Sequence, residues 1–231
     1  MTNSGGHAHP THAHGGDDDD GEPMPDAATF WENRYRESDR AWSGRANAAL
    51  ERETADLTPG AALDLGSGEG GDALWLAHNG WSVTAVDIAP TALARGEAIA
   101  RAEGLVDRIR WICADLATWH PEGPFDLVTA HFLQSPVELP REVILRRAAA
   151  TVAPGGTFLV VGHAEFPPWS QHKPDGVPLP SADEVLASLE LTAEHWTIRT
   201  KAAVSRTATG PDGQIVDLVD SVLALRRTSV I

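Results

Sequence analysis

At 231 residues and a net charge of −15, the chain is long enough for one well-buried domain, and its acidic balance disfavours a phosphate backbone as partner. No apolar run approaches the roughly 20 residues that span a bilayer, and the opening segment, Met1 to His7, has neither a basic nor an apolar leader character. A single cysteine, Cys113, allows no internal disulfide, so the expected setting is cytoplasmic, with no membrane and no nucleic-acid partner.

Residues 1–26 read as a disordered tail of Gly, His, Ala, Pro and Asp, and residues 27–231 as the folded domain. Within the tail, His7-Ala-His9 and His12-Ala-His14 precede Asp17 to Asp20. Imidazoles so spaced can chelate Zn, Ni or Cu ions, and a solubilising tail explains them equally; no metal site is assigned.

Folded structure is expected from Phe30-Trp-Glu-Asn-Arg-Tyr35, an aromatic arm continuing through Trp42-Ser-Gly-Arg45 that packs on the domain or helps to cover a ligand. A helix fits residues 47–56, and Thr58-Pro-Gly60 turns into a short strand at Ala61-Ala-Leu-Asp-Leu65. Glycines at 66, 68, 70 and 71 then lead into a helix over 72–78, capped by Asn79-Gly80. Further strands are expected at 81–87, 108–114, 125–130 and 157–162. Pro90 opens a helix that closes at Gly104; a second covers 141–152, before the turn Ala153-Pro-Gly-Gly156. Cys113 reads as a small core residue of its strand. After a Pro- and Trp-containing loop over 165–180, Ser181-Ala-Asp-Glu184 is a capping box, and residues 196–206 and 215–227 read as two strands joined across Gly210-Pro-Asp-Gly213. The alternation predicts an α/β fold: an open, mostly parallel sheet with helices on both faces, closed by an antiparallel hairpin.

Strand, glycine turn and helix bring backbone close to a nucleotide-like ligand, because no Cβ stands in the way. Gly66-x-Gly68-x-x-Gly71 with Asp87 about 20 residues on satisfies the dinucleotide fingerprint, so an NAD-dependent oxidoreductase is one reading. Three features oppose it. Asp64 sits in the strand two residues before the first glycine, where an ammonium is welcome and a pyrophosphate is not. Glu69 adds a second negative charge within the loop, and no second domain follows to hold a hydride acceptor.

Leu63-Asp-Leu-Gly-Ser-Gly-Glu-Gly70, Val83-Thr-Ala-Val-Asp87, Ala114-Asp-Leu116, Phe125-Asp-Leu-Val128 and Ala153-Pro-Gly-Gly156 resemble, in order and spacing, the successive motifs of class I S-adenosylmethionine-dependent methyltransferases. The arm and the stretch from Ser205 to Ile215 further resemble the branch with tellurite-resistance and thiopurine methyltransferases. The resemblance implies a Rossmann-like seven-stranded sheet whose last strand inserts antiparallel. It also implies S-adenosyl-L-methionine as cofactor and methyl transfer to a small-molecule thiol, oxygen or metalloid acceptor. Gly66, Ser67 and Gly68 would approach the methionine part and ribose, Asp64 the ammonium, and Asp87 the ribose hydroxyls. Ile88 would pack on the adenine, with Asp115 and Leu116 at its edge. Arg45 would pair with the cofactor carboxylate, and His131 would border the sulfonium. Asp126 reads as structural. His163, Trp169 and His172, with His131, would meet the acceptor; His131 and His163 are either bases or pocket lining, and no catalytic residue is assigned. A non-catalytic ligand- or metal-binding protein on the same fold is the remaining alternative, and the expected state is a monomer or homodimer.

Overall fold

Short runs that are apolar on both faces can only be buried in the middle of a sheet covered on both sides. The computed structural model of the chain, which describes residues 25–170, 179–210 and 212–229, places them there. β1 (Ala61–Leu65) is central and pairs in parallel with β2 (Ser82–Asp87) on one side and β4 (Phe125–His131) on the other. With β3 (Ile109–Cys113), β5 (Val152–His163), β6 (Trp196–Thr209) and β7 (Ile215–Arg227), the sheet has the order β3-β2-β1-β4-β5-β7-β6. β7 lies antiparallel between β5 and β6, as expected of the closing hairpin. The chain leaves β1 outward through β2 and β3, then returns to β4. That reversal opens a crevice at the carboxyl ends of β1 and β4, where ligands bind in such sheets.

Two apolar layers sandwich the sheet. On one face α2 (Ala48–Thr54), α3 (Gly71–His78) and α4 (Pro90–Ala102) cover Ala62, Leu127, Leu159 and Val161. On the other, α5 (Arg141–Ala150) and α6 (Ala182–Ser188) cover Leu63, Val128, Phe158 and Leu225. The capping box of α6 forms: Ser181 accepts from the Glu184 amide, and Glu184 accepts from the Ser181 amide. The aromatic arm begins as α1 (Ala27–Arg36), whose N-cap Asp26 accepts from the Thr29 amide. α1 packs on α4, where Glu32 takes both the amide and the hydroxyl of Thr91.

The structure departs from expectation in two places. The turn at Ala153-Pro-Gly-Gly156 lies inside a longer β5. Val152 already pairs with Phe125, and Thr157 with Leu127, so those four residues form an excursion opposite Asp126. Cys113 is exposed rather than a core residue, because β3 is the edge strand and Cys113 is its last residue, without a neighbouring strand on its outer side. Asp126 is structural as expected: its carboxylate accepts from the Ala61 amide at the sheet's opposite edge. The His pairs of the tail and His172 fall among residues 1–24 and 171–178, outside the described residues.

Candidate functional site

The turn after β1 works because three of its glycines are left-handed, with φ of +70°, +54° and +82° at Gly66, Gly68 and Gly70. A Cβ at these positions would also strike a neighbour. It would stand 2.9 Å from Leu133 at Gly66, 2.8 Å from the Tyr35 hydroxyl at Gly68, and 2.4 Å from the Trp111 ring at Gly70. The Gly66 and Ser67 amides donate to the Val86 carbonyl, which extends the ladder between β1 and β2 and holds the turn against β2.

Asp87, at the end of β2, is buried. One oxygen accepts from the Gly68 amide at 2.8 Å and the other from the Ala89 amide at 2.9 Å. Burial raises its pKa, an effect these amides partly offset. A carboxylate offers about four lone-pair sites, so both oxygens retain capacity for hydroxyl donors. Ile88 follows, half-buried.

Asp64 is sealed in the sheet. One oxygen accepts from the Thr129 hydroxyl at 3.0 Å, and Oδ2 is buried without a partner. Burial first, and the nearby Asp72 carboxylate second, push its pKa up to about 7, against the opposing pull of His131. Asp72, from the first turn of α3, bonds His131 Nδ1 at 2.7 Å and accepts from the Asn47 amide at 2.6 Å. Asp64, Asp72 and His131 each bring a donor atom within 4.8 Å of the others. Burial alone would depress His131; the carboxylates of Asp72, Asp64 and Asp220 outweigh it, so its pKa is raised. The orphaned Asp64 oxygen needs a donor, and an ammonium group supplies one with the right charge. Ser67 Oγ, also buried and unpartnered, lies in the same turn.

The sequence reading missed Glu69, Asp72 and Asp220 as organisers. Glu69 is buried, and it anchors the arm: it accepts from the amides of Ala41 and Trp42 and pairs with Arg95 at 2.7 Å. This holds the Trp42 indole, bonded to the Tyr35 hydroxyl at 3.0 Å, over Gly68. Arg45 is exposed, while its carbonyl packs 3.0 Å from where a Cβ on Gly71 would stand. Asp115 is exposed and accepts from the Ala117 amide, with Leu116 buried beside it. His163 closes β5, two strands from the glycine turn. Trp169 is half-buried at the start of the loop beyond it. No single local signal marks Asp72 or Asp220, since each partner lies far along the chain or on another strand.

Residues 62–156 match the family described as a methyltransferase domain. That match runs from β1 into β5, the part of the chain that carries the glycine turn, Asp64 and Asp87. A 2-heptyl-1-hydroxyquinolin-4(1H)-one methyltransferase of Mycobacteroides abscessus is 32% identical over 144 residues, 60% of either chain. A tRNA 5-carboxymethoxyuridine methyltransferase of Escherichia coli is 35% identical over 114 residues, 47% of this chain and 43% of that one. The chain thus spans three fifths or less of the length of these relatives. The solved structure of TehB from Haemophilus influenzae superposes with a TM-score of 0.62 at 17% identity, covering 86% of this chain and 66% of that one, a likeness of fold.

Proposed function

We propose that the chain binds S-adenosyl-L-methionine on the glycine turn and transfers its methyl group to a small-molecule nucleophile. The observation that carries this reading is the pair of buried carboxylates flanking the turn, Asp64 with an orphaned oxygen and Asp87 at the end of β2. Both fit a ligand with an ammonium at one end and ribose hydroxyls at the other. Such a cofactor supplies a methyl carbon on a sulfonium, already activated for in-line displacement.

In this reading Asp64 takes the ammonium and Arg45 the carboxylate, while Gly66, Ser67 and Gly68 line the methionine part and ribose. Asp87 holds the ribose hydroxyls; Ile88, Asp115 and Leu116 border the adenine. His131 marks the sulfonium end of the crevice, and His163 and Trp169 face the acceptor. The protein's task is then to align the nucleophile and exclude water. The Tyr35 and Trp42 cover over Gly68 serves the second purpose. The acidic surface supports a small acceptor over RNA, and the aromatic arm supports kinship with the tellurite-resistance and thiopurine branch.

Titration calorimetry with S-adenosylhomocysteine is the test. We expect binding, weakened at least tenfold (about 1.4 kcal/mol) by Asp87→Asn. Absence of binding sinks the proposal, and NADH fluorescence enhancement would turn it toward an oxidoreductase. Methyl uptake would then be screened across thiols, phenols, tellurite and tRNA; uptake by tRNA alone would overturn the small-molecule acceptor.

A further inference from the structure

A row of ionisable side chains runs along the carboxyl edge of the sheet on the α3 face. Register puts Asp64 beside Thr129, so His131 follows on the same face; Thr129 beside Leu159, so His163 follows; and His163 beside Asp220. At the far end of the row, His163 Nδ1 lies 3.6 Å from Asp220 Oδ1. Both atoms are buried and neither has a hydrogen-bond partner. The second Asp220 oxygen is held by Arg206 Nε of β6 at 2.5 Å. The His163 ring stacks on Phe132, centroids 4.3 Å apart, and the Arg206 guanidinium lies 5.5 Å from the Phe132 centroid. The groups facing His163 are therefore Asp220 from β7, Arg206 from β6, and Phe132 and Gln134 from the segment after β4, whose Gln134 side chain accepts from the His163 amide.

Two observations tie this dyad to the cofactor crevice. Phe132 and Leu133 are consecutive: Phe132 touches His163, and Leu133 lies over Gly66 of the glycine turn. His131, by contrast, is closed to an acceptor. Its side chain is 4% exposed and locked on Asp72, whereas that of His163 is 25% exposed. Nδ1 is buried against Asp220, which leaves Nε2 as the ring nitrogen open to a proton donor.

Resting on the reading above, we propose that His163 is the general base for a hydroxyl-bearing acceptor, with Asp220 as the positioning residue. Asp220 closes on Nδ1–H and fixes the tautomer that leaves Nε2 free to accept a proton; such contacts are often long before substrate binds. Arg206 steadies Asp220, and the Phe132 ring packs against the imidazole and holds its plane. The acceptor O–H gives its proton to His163 Nε2 and its oxygen bonds the methyl carbon. The carbon–sulfur bond breaks with its electron pair on sulfur, and the imidazolium returns its proton to water. A thiolate or a metalloid oxyanion needs no such base.

The test uses the full chain and two phenols of different acidity, 4-methylphenol and 4-nitrophenol. General bases contribute about 10²–10⁴-fold, and only where a proton must be removed. His163→Gln should therefore lower kcat for 4-methylphenol about 100-fold or more, and the loss for 4-nitrophenol should be at least tenfold smaller. Asp220→Asn should shift the two rates in the same sense, about tenfold, and the double variant should be no slower than His163→Gln. Independently of turnover, 4-nitrophenol bound with S-adenosylhomocysteine at pH 6 should show phenolate absorbance in the wild type and lose it in His163→Gln. Equal losses on both phenols, or additive variants, would overturn the base assignment. Methyl uptake by thiols but by neither phenol would overturn the acceptor class. Loss of S-adenosylhomocysteine binding in the wild type would instead remove the underlying function, and retained affinity in each variant shows that it folds.

Discussion

Asp64 illustrates how one side chain couples ligand to proton. Its carboxyl, raised to about 7, is partly protonated near neutrality, and a bound ammonium would favour the ionised form. Binding therefore releases a proton below pH 7, and affinity rises as pH approaches 7 from below. Calorimetry at pH 6 in two buffers of different ionisation enthalpy should detect this release in the wild type and its loss in Asp64→Asn. Gly70 makes a steric rather than an electrostatic demand. Its φ of +82° and the Trp111 ring 2.4 Å from a would-be Cβ leave Gly70→Ala no relaxed position. Urea unfolding should show a loss of about 1–3 kcal/mol. Cys113, exposed at the edge, has its thiol pKa pushed up by partial burial and by Asp87, so it is a poor nucleophile at neutral pH.

Among the elements, the arm is attached to the domain by few groups. Glu69 takes two amides of the arm and a guanidinium of α4, and Glu32 ties α1 to the start of α4. Hydrogen bonds to a charged acceptor contribute about 1.5–3 kcal/mol, and removing the charge leaves partly buried donors unmatched. Glu69→Gln should therefore raise hydrogen exchange at the Ala41 and Trp42 amides while the β1–β4 amides remain protected. Because these residues hold Trp42 and Tyr35 over Gly68, the variant should also bind S-adenosylhomocysteine more weakly. Unchanged exchange at Ala41 and Trp42 would show that the arm is held by its apolar contacts instead.

The charge distribution of the whole molecule sets its response to pH. The folded state raises the pKa of Asp64, Asp87 and His131. A raised carboxyl binds more protons folded than unfolded, so Asp64 lowers stability as pH climbs from about 4 to 7. The contribution of His131 is fully present below about 6.5 and is lost as pH rises through its folded value. Depressed carboxyls such as Glu32 act oppositely, losing their contribution in acid. Thermal melts should thus be highest near pH 5 and decline toward pH 8, and Asp64→Asn should flatten that decline. A Tm that climbed from pH 5 to 8 would contradict the buried Asp64 environment.

Much of this was legible in one dimension. The turn residues Gly66, Gly68 and Gly70, the acids Asp64 and Asp87 at strand ends, and the period change between strands and helices are local properties. Strand spacing and loop length leave few ways to arrange them, so the parallel sheet and its closing hairpin followed. The exposure of Cys113 and the excursion at 153–156 did not, since an edge strand and an interior one carry the same apolar pattern until their neighbours are known. Nor did the pairings Asp72 with His131, Glu69 with the arm, and Asp220 with His163, which depend on strand register and on helices packed across the sheet. The sequence by itself determined where the backbone turns and which charges stand at the crevice. Only the tertiary structure decided which of those charges meet, because burial and distance, not residue type, decide which charges are partnered.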